Sequence, residues 1–246
     1  MLSAEEQTDL LAKRIAAILD PGVRAAYVRH TLLGLAAADV ADVLIVTRAH
    51  AEAHSPRHES LLTALSLALA DEACAALRQT VAALLEVRDQ RSLARSLRRD
   101  AAEGEDDAQR VPDFGMGRTV TLGERKSLAR RRDRELISRV IRDPHPDVIR
   151  ILLLNPRLTE NDVLRLCARR PVASDALREV FRCQRWIVRY AIRLALILNP
   201  YTPLDVALQL TPLLHDQDLR RVLEAADLPR ELHAACRRRA EEGVLH

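Results

Sequence analysis

The feature that most restricts this fold is a repeat in the C-terminal half of the chain. The segments LLLNPRLTENDV, ending at Val163, and LILNPYTPLDV, ending at Val206, carry the same key residues in the same order. Asn155-Pro156 recurs as Asn199-Pro200, Thr159 as Thr202 and Asp162 as Asp205, at offsets of 43 or 44 residues. Further on, Ala176-Leu177-Arg178-Glu179-Val180 aligns with Asp218-Leu219-Arg220-Arg221-Val222. Self-similarity at such a period is the mark of stacked supersecondary units, none of which can bury its apolar face alone. A finer plan is visible in LARRRDRELISRVIRDPHP, LCARRPVASDALREVFR and VLEAADLPRELHAACRR: a helix, a break at or near proline, and a second helix. Proline cannot continue a helix, and it pushes the residue before it out of the α region. Thr159 and Thr202 are placed to cap the helices that follow, with Asp162 and Asp205 in the first turn, where the helix dipole favours a negative charge. The spacing of Ile149, Leu152, Leu153, Val163, Leu166, Cys167, Leu177, Val180 and Phe181 suits one continuous apolar seam.

Composition agrees with helices throughout. Aromatic residues make up 2% of the 246 and there are only 7 glycines, so the core must be built from Leu, Ile, Val and Ala. Ser3 with Glu6 forms a capping box. Helices are expected to about Asp20, stopped by Pro21-Gly22, then over 23–36 and 39–53, with a break at Ser55-Pro56 and helical sequence again from Glu59 towards Arg99. Val43-Leu44-Ile45-Val46 is the one run that also fits a strand. Residues 1–99 read as a helical bundle. Residues 100–121 are acidic and then rich in Gly and Pro, without helical period, and read as a linker. Thr121 with Glu124 is a second capping box and opens a helical-repeat domain over 122–246. The fold class expected is all-α: an N-terminal helical bundle followed by a short α-solenoid.

The phrases HPDVIRILLLNPRLTENDVLRL and RYAIRLALILNPYTPLDVAL resemble leucine-rich repeat variant units and, more loosely, HEAT repeats, through Asn155-Pro156, Thr159, Asn199-Pro200, Thr202 and Pro203. The resemblance spans about residues 122–246 and implies a right-handed curved stack of short helices. Some members of that family carry an iron–sulfur cluster ahead of the repeats. This chain has no clustered cysteines there, so no cluster is carried over. The first half of the chain carries no such resemblance.

No G-x-x-x-x-G-K-[ST], G-x-G-x-x-G or G-x-S-x-G occurs, so phosphate cradles and nucleophile elbows have no motif support. Asp113-Phe114-Gly115 repeats a kinase magnesium motif without its companion loops and reads as coincidence. Cys74, Cys167, Cys183 and Cys236 never approach C-x-x-C spacing, which suits buried free thiols in a reducing, cytoplasmic setting. His50 and His54 would share a helix face and His58 would be separated by Pro56; HAEAH is not a zinc-protease signature, and a polar helix end is the simpler reading. The longest apolar stretch, Leu61 to Ala70, is too short to cross a bilayer. No catalytic residue, cofactor or metal is expected.

Two surfaces remain as binding candidates. Residues 1–110 carry 13 basic and 17 acidic side chains, the remaining 136 carry 25 and 18, and all basic residues but Lys13 and Lys126 are Arg. Either codon bias or a surface for phosphate and carboxylate groups accounts for that excess. The run Arg125, Lys126, Arg130, Arg131, Arg132 and Arg134 reads either as a solvated helix or as a phosphate-binding face. On a continuous helix after Cys183, Ile187, Ala191, Leu194 and Leu198 would be buried, Arg189 and Arg193 would face outward, and Trp186 and Tyr190 would lie between. With Arg182 and Arg185 before them, these residues form a partner-binding patch of hot-spot types, unless the Trp is packed under the Arg stems. The function expected is a non-catalytic interaction or scaffold module that binds a protein. The alternative is nucleic-acid binding by the Arg-rich C-terminal half, of which a helical-repeat DNA glycosylase would be the enzyme variant, though six aromatics supply few stacking walls.

Overall fold

The computed structural model describes residues 3–98 and 111–244, and the regular structure among those residues is helical, with no strand. The acidic part of the expected linker, 100–110, lies outside the described residues. The helices are α1 (Ala4–Ala17), α2 (Pro21–Leu33), α3 (Ala37–Glu52), α4 (Pro56–Leu69), α5 (Ala75–Val87), α6 (Arg91–Leu97), α7 (Leu122–Ala129), α8 (Arg134–Val140), α9 (Pro146–Leu153), α10 (Glu160–Ala168), α11 (Ser174–Arg182), α12 (Gln184–Ile187), α13 (Tyr190–Ile197), α14 (Leu204–Leu210), α15 (Asp216–Glu224) and α16 (Arg230–Val244). Short 3-10 turns cover Glu72–Cys74 and Thr211–Leu213. No single helix among the described residues is long and apolar enough to cross a membrane.

By packing, the chain divides into two units, residues 1–100 with 204–246, and residues 101–203. Sequence reading placed 204–246 with the repeats instead. Those residues carry the same Leu- and Ala-rich faces as the helices of the first hundred, and α14 packs on α6, the 3-10 turn at Thr211–Leu213 on α3, and α15 on α16. The Gln209 side chain donates to the Ser96 carbonyl at 2.7 Å, and the buried Arg239 donates to the Thr211 carbonyl at 2.6 Å. Within this unit α3 also packs on α1, α4 and α5 around Ile15, Val40, Leu44, Leu61, Leu65 and Leu85. Val43 to Val46, the run that also fitted a strand, lies inside α3. Pro21 opens α2 after Asp20, whose carboxylate accepts from the Val23 N–H at 2.8 Å, so the dipeptide read as a stop also starts the next helix.

In the second unit all nine residues of the expected seam are buried. Thr121 and Thr159 close capping boxes with Glu124 and Asp162, as the sequence marks, while Asp133 caps α8 and His145 caps α9 ahead of Pro146, two starts the sequence reading did not single out. α7 packs on α8 and α9, α9 on α11, and α10 on α11 and α13. Residues 111–120 are non-helical, as expected for a linker, yet Phe114 and Val120 are buried, so this stretch forms a wall of the unit. A helix was expected to run unbroken past Cys183. It breaks at Val188–Arg189, which resets its phase: Ile187, Ile192, Leu196 and Ile197 are buried, whereas Ala191 is exposed and Leu194 and Leu198 are half-buried.

Candidate partner-binding surface

The two Asn-Pro corners are built alike. The buried Asn155 donates through Nδ2 to the carbonyls of Ala129 and Arg131, both at 2.8 Å, and its Oδ1 accepts from the Arg157 N–H at 2.9 Å. The buried Asn199 donates to the carbonyls of Cys167 (2.6 Å) and Arg169 (2.9 Å), and accepts from the Tyr201 N–H at 2.9 Å. Each asparagine thus closes its own turn and satisfies the carbonyls left open where an earlier helix ends, α7 in one case and α10 in the other. Asp162 serves two ends of the unit at once. It completes the cap at Thr159 and receives both terminal nitrogens of Arg134, at 2.7 and 2.9 Å, which holds its carboxyl down at about 2. The hydroxyl of the buried Thr202 donates to the Leu196 carbonyl at 2.6 Å.

The Trp186 patch sits on the first of these corners. Trp186 is almost fully buried, and its Nε1 donates to the Leu153 carbonyl at 2.9 Å. The guanidiniums of Arg185 and Arg189 lie over its ring, 4.5 and 5.2 Å from the centroid. Arg185 donates to the Asn155 carbonyl at 3.1 Å, and Arg189 pairs with Glu160. Arg193, read from sequence as outward-facing, is buried and donates to the Ile187 carbonyl at 2.8 Å, across the helix break. Arg182 pairs with Glu179 at 2.9 Å, and Tyr190 is half-buried. Of the two readings open for the Trp, the structure has the packed one. Leu154, 69% exposed, and Val188, 52% exposed, stand outward at this place. Sequence reasoning passed over both, since the helix phase assumed for 184–198 hid the break that exposes Val188.

The basic run separates into two groups. Arg125 is buried against both oxygens of Asp143 at 2.8 and 2.9 Å, Lys126 pairs with Asp147 at 2.6 Å, and Arg134 is held by Asp162. Arg130, Arg131 and Arg132 are exposed in the turn between α7 and α8.

A feature unread in the sequence is an open cleft of about 940 Å3 within the second unit, to which Arg118, Arg139, Arg142 and Arg169 contribute beside Phe114 and Val120. Glu124 takes both terminal nitrogens of Arg118, at 3.1 and 2.5 Å, and Glu135 takes Arg139 at 2.5 Å. Arg169 donates to the backbone carbonyl of Arg142 at 3.0 Å. The four arginines are scattered over more than fifty residues of sequence, and no local pattern marks their convergence.

In the first unit the histidines pair differently from expectation. His50 and His58 stack at 4.4 Å, while His54, at φ 58°, points to Asp216 at 3.6 Å. The left-handed His54 turns the chain back so that α4 returns along α3 and carries His58 onto His50. Ser55 Oγ lies 2.7 Å from His58 Nδ1, at the start of α4, and the Asp9 carboxylate is 3.5 Å from Nε2, beyond a good hydrogen bond. No group of three or more ligands suited to a metal occurs among the described residues. The four cysteines are free, and burial pushes the Cys167, Cys183 and Cys236 thiols up, away from thiolate chemistry. No family model, curated protein or solved structure matches the chain.

Proposed function

We propose that residues 111–203 form a short α-solenoid of leucine-rich-repeat-variant or HEAT-like units, and that the chain is a non-catalytic interaction module that binds a protein through this unit. Support for the repeat comes from the matching three-bond sets of Asn155 and Asn199 and from the capping boxes at Thr121 and Thr159. The observation that carries the binding site is the meeting of two distant segments at one corner. Trp186 and Arg185 bind the carbonyls on either side of Leu154, so the segments that carry the exposed Leu154 and Val188 meet at this corner, together with Arg185 and Arg189. Exposed aliphatic side chains at a corner that also holds arginines suit a partner segment of apolar and acidic residues. Co-purification with the chain carrying Leu154→Asp and Val188→Asp tests this. Both side chains are solvent-exposed, so the variant should keep its melting temperature and lose the partner. A partner retained at unchanged affinity would remove this corner as the interface.

A second reading, nucleic-acid binding, is favoured by the exposure of Arg130, Arg131 and Arg132 in a stretch, 111–203, that holds 19 basic and 10 acidic residues. It requires duplex affinity that falls steeply with salt. Absence of binding at low salt would dismiss it.

A further inference from the structure

The arginine cleft lies apart from the Leu154 corner and calls for a different ligand. Two of its four guanidiniums are neutralised by their own carboxylates, Arg118 by Glu124 and Arg139 by Glu135. Arg142 and Arg169 are not. Among the described residues neither makes an ion pair, and Arg142 is exposed. The bond from Arg169 to the Arg142 backbone keeps the two residues together, so two like charges share one cleft without a counterion among the described residues. Among the described residues the one carboxylate on the lining is Asp113. Its Oδ1 accepts the Gly115 N–H at 2.7 Å to shape the turn. Among the described residues, one carboxylate on the lining against two guanidiniums without an ion pair leaves the cleft electropositive.

We propose that this cleft binds the phosphate group of a small organic phosphate, with Arg142 and Arg169 as the anion ligands and the Val111–Pro112 edge against the organic part. Guanidinium forks match phosphate oxygens in pairs, and they do so best where water is partly excluded. Desolvation and the neighbouring charge of Arg142 both lower the proton affinity of Arg169, a cost that a bound dianion would relieve. The apolar wall is present, since the buried Phe114 and Val120 are themselves part of the lining. The volume suits a ligand of nucleotide size. The turn through Asp113-Phe114-Gly115 also has a physical reason to be what it is. Gly115 takes φ +74°, and a Cβ there would strike the Arg139 guanidinium, so glycine lets the loop close against the arginine side of the cleft.

Isothermal titration of the full chain at low salt, with adenosine monophosphate and with inorganic phosphate as probes, tests the assignment. Saturable binding at one site is expected, tighter for adenosine monophosphate than for phosphate. Arg142→Gln and Arg169→Gln should each weaken it by about tenfold or more, the effect of one lost charge-assisted contact. Arg132→Gln, on the exposed turn invoked for nucleic acid, should leave it unchanged. Arg142 is exposed, so its variant tests the site without threatening the fold, and a melting curve checks the Arg169 variant. No saturable binding of either probe, or binding indifferent to Arg142→Gln, would overturn the site. Phosphate bound as tightly as adenosine monophosphate would overturn the assignment to an organic phosphate. Failure here leaves the Leu154 corner untouched, because the two sites share no residue.

Discussion

At the scale of single residues, the unit 111–203 depends on side chains that finish its backbone hydrogen bonding. Asn155 and Asn199 are buried, and each makes three bonds to main-chain groups. Asn199→Ala strips partners from two carbonyls and one N–H in a site with little water, so a loss of about 2–3 kcal/mol is expected from the unmade bonds. Asn199→Asp keeps the acceptor for Tyr201 but sets a negative charge against the carbonyls of Cys167 and Arg169, and should cost at least as much. Urea unfolding of both variants measures this, and a change within about 0.5 kcal/mol, the range of ordinary surface substitutions, would contradict it. The Asn-Pro corners and the caps at Thr121 and Thr159 were legible in the sequence because their chemistry is local: a proline, or a capping hydroxyl with a carboxylate three residues on. Thr202, read as a cap in the same way, instead donates its hydroxyl to the Leu196 carbonyl. The reach of each asparagine to an earlier helix, across 24 to 32 residues, was not legible, since nothing within the corner states what lies opposite it.

At the scale of elements, the informative places are where helices stop. The α3–α4 turn stacks His58 on His50 beneath Glu5 and Asp9 of α1. Burial, and then the charge of His50, lower the His58 pKa from 6.5, against the opposing pull of Asp9 and Glu5. A base whose folded pKa lies below its unfolded value binds its proton less well in the native state. Its contribution to stability is therefore fully present above about pH 6.5 and is lost as pH falls below that value. The urea midpoint should drop between pH 7.5 and 5.5, and less so in His58→Gln. An NMR titration that places His58 above 6.5 would contradict the packing described for this turn. The break between α12 and α13 shows why phase was misread. The run Trp186-Ile187-Val188-Arg189-Tyr190-Ala191 holds no Gly or Pro, and α13 starts without a side-chain cap, its turn held instead by Arg193 reaching back to Ile187. A break stabilised by a tertiary bond leaves no local mark.

At the scale of the molecule, helix content followed from composition, whereas the grouping of helices did not. α14 to α16 carry the same alternation of Leu, Ala and Arg as the elements before them, and an apolar stripe does not name the stripe it will meet. The arginine cleft is hidden for the same reason, being assembled from a turn, α8 and the ends of two further segments. What a partner can reach is then decided by burial rather than by residue type. Trp186 has the hot-spot identity but is spent on the core, while the plainer Leu154 and Val188 stand in solvent. Hydroxyl-radical footprinting of the intact chain, free and with a protein captured through the proposed corner, reads this difference directly. Leu154 and Val188 should be oxidised in the free chain and protected in the complex, and Trp186, although intrinsically the more reactive, should stay unmodified in both. Ready oxidation of Trp186 in the free chain, or Leu154 and Val188 still labelled in the complex, would contradict the account.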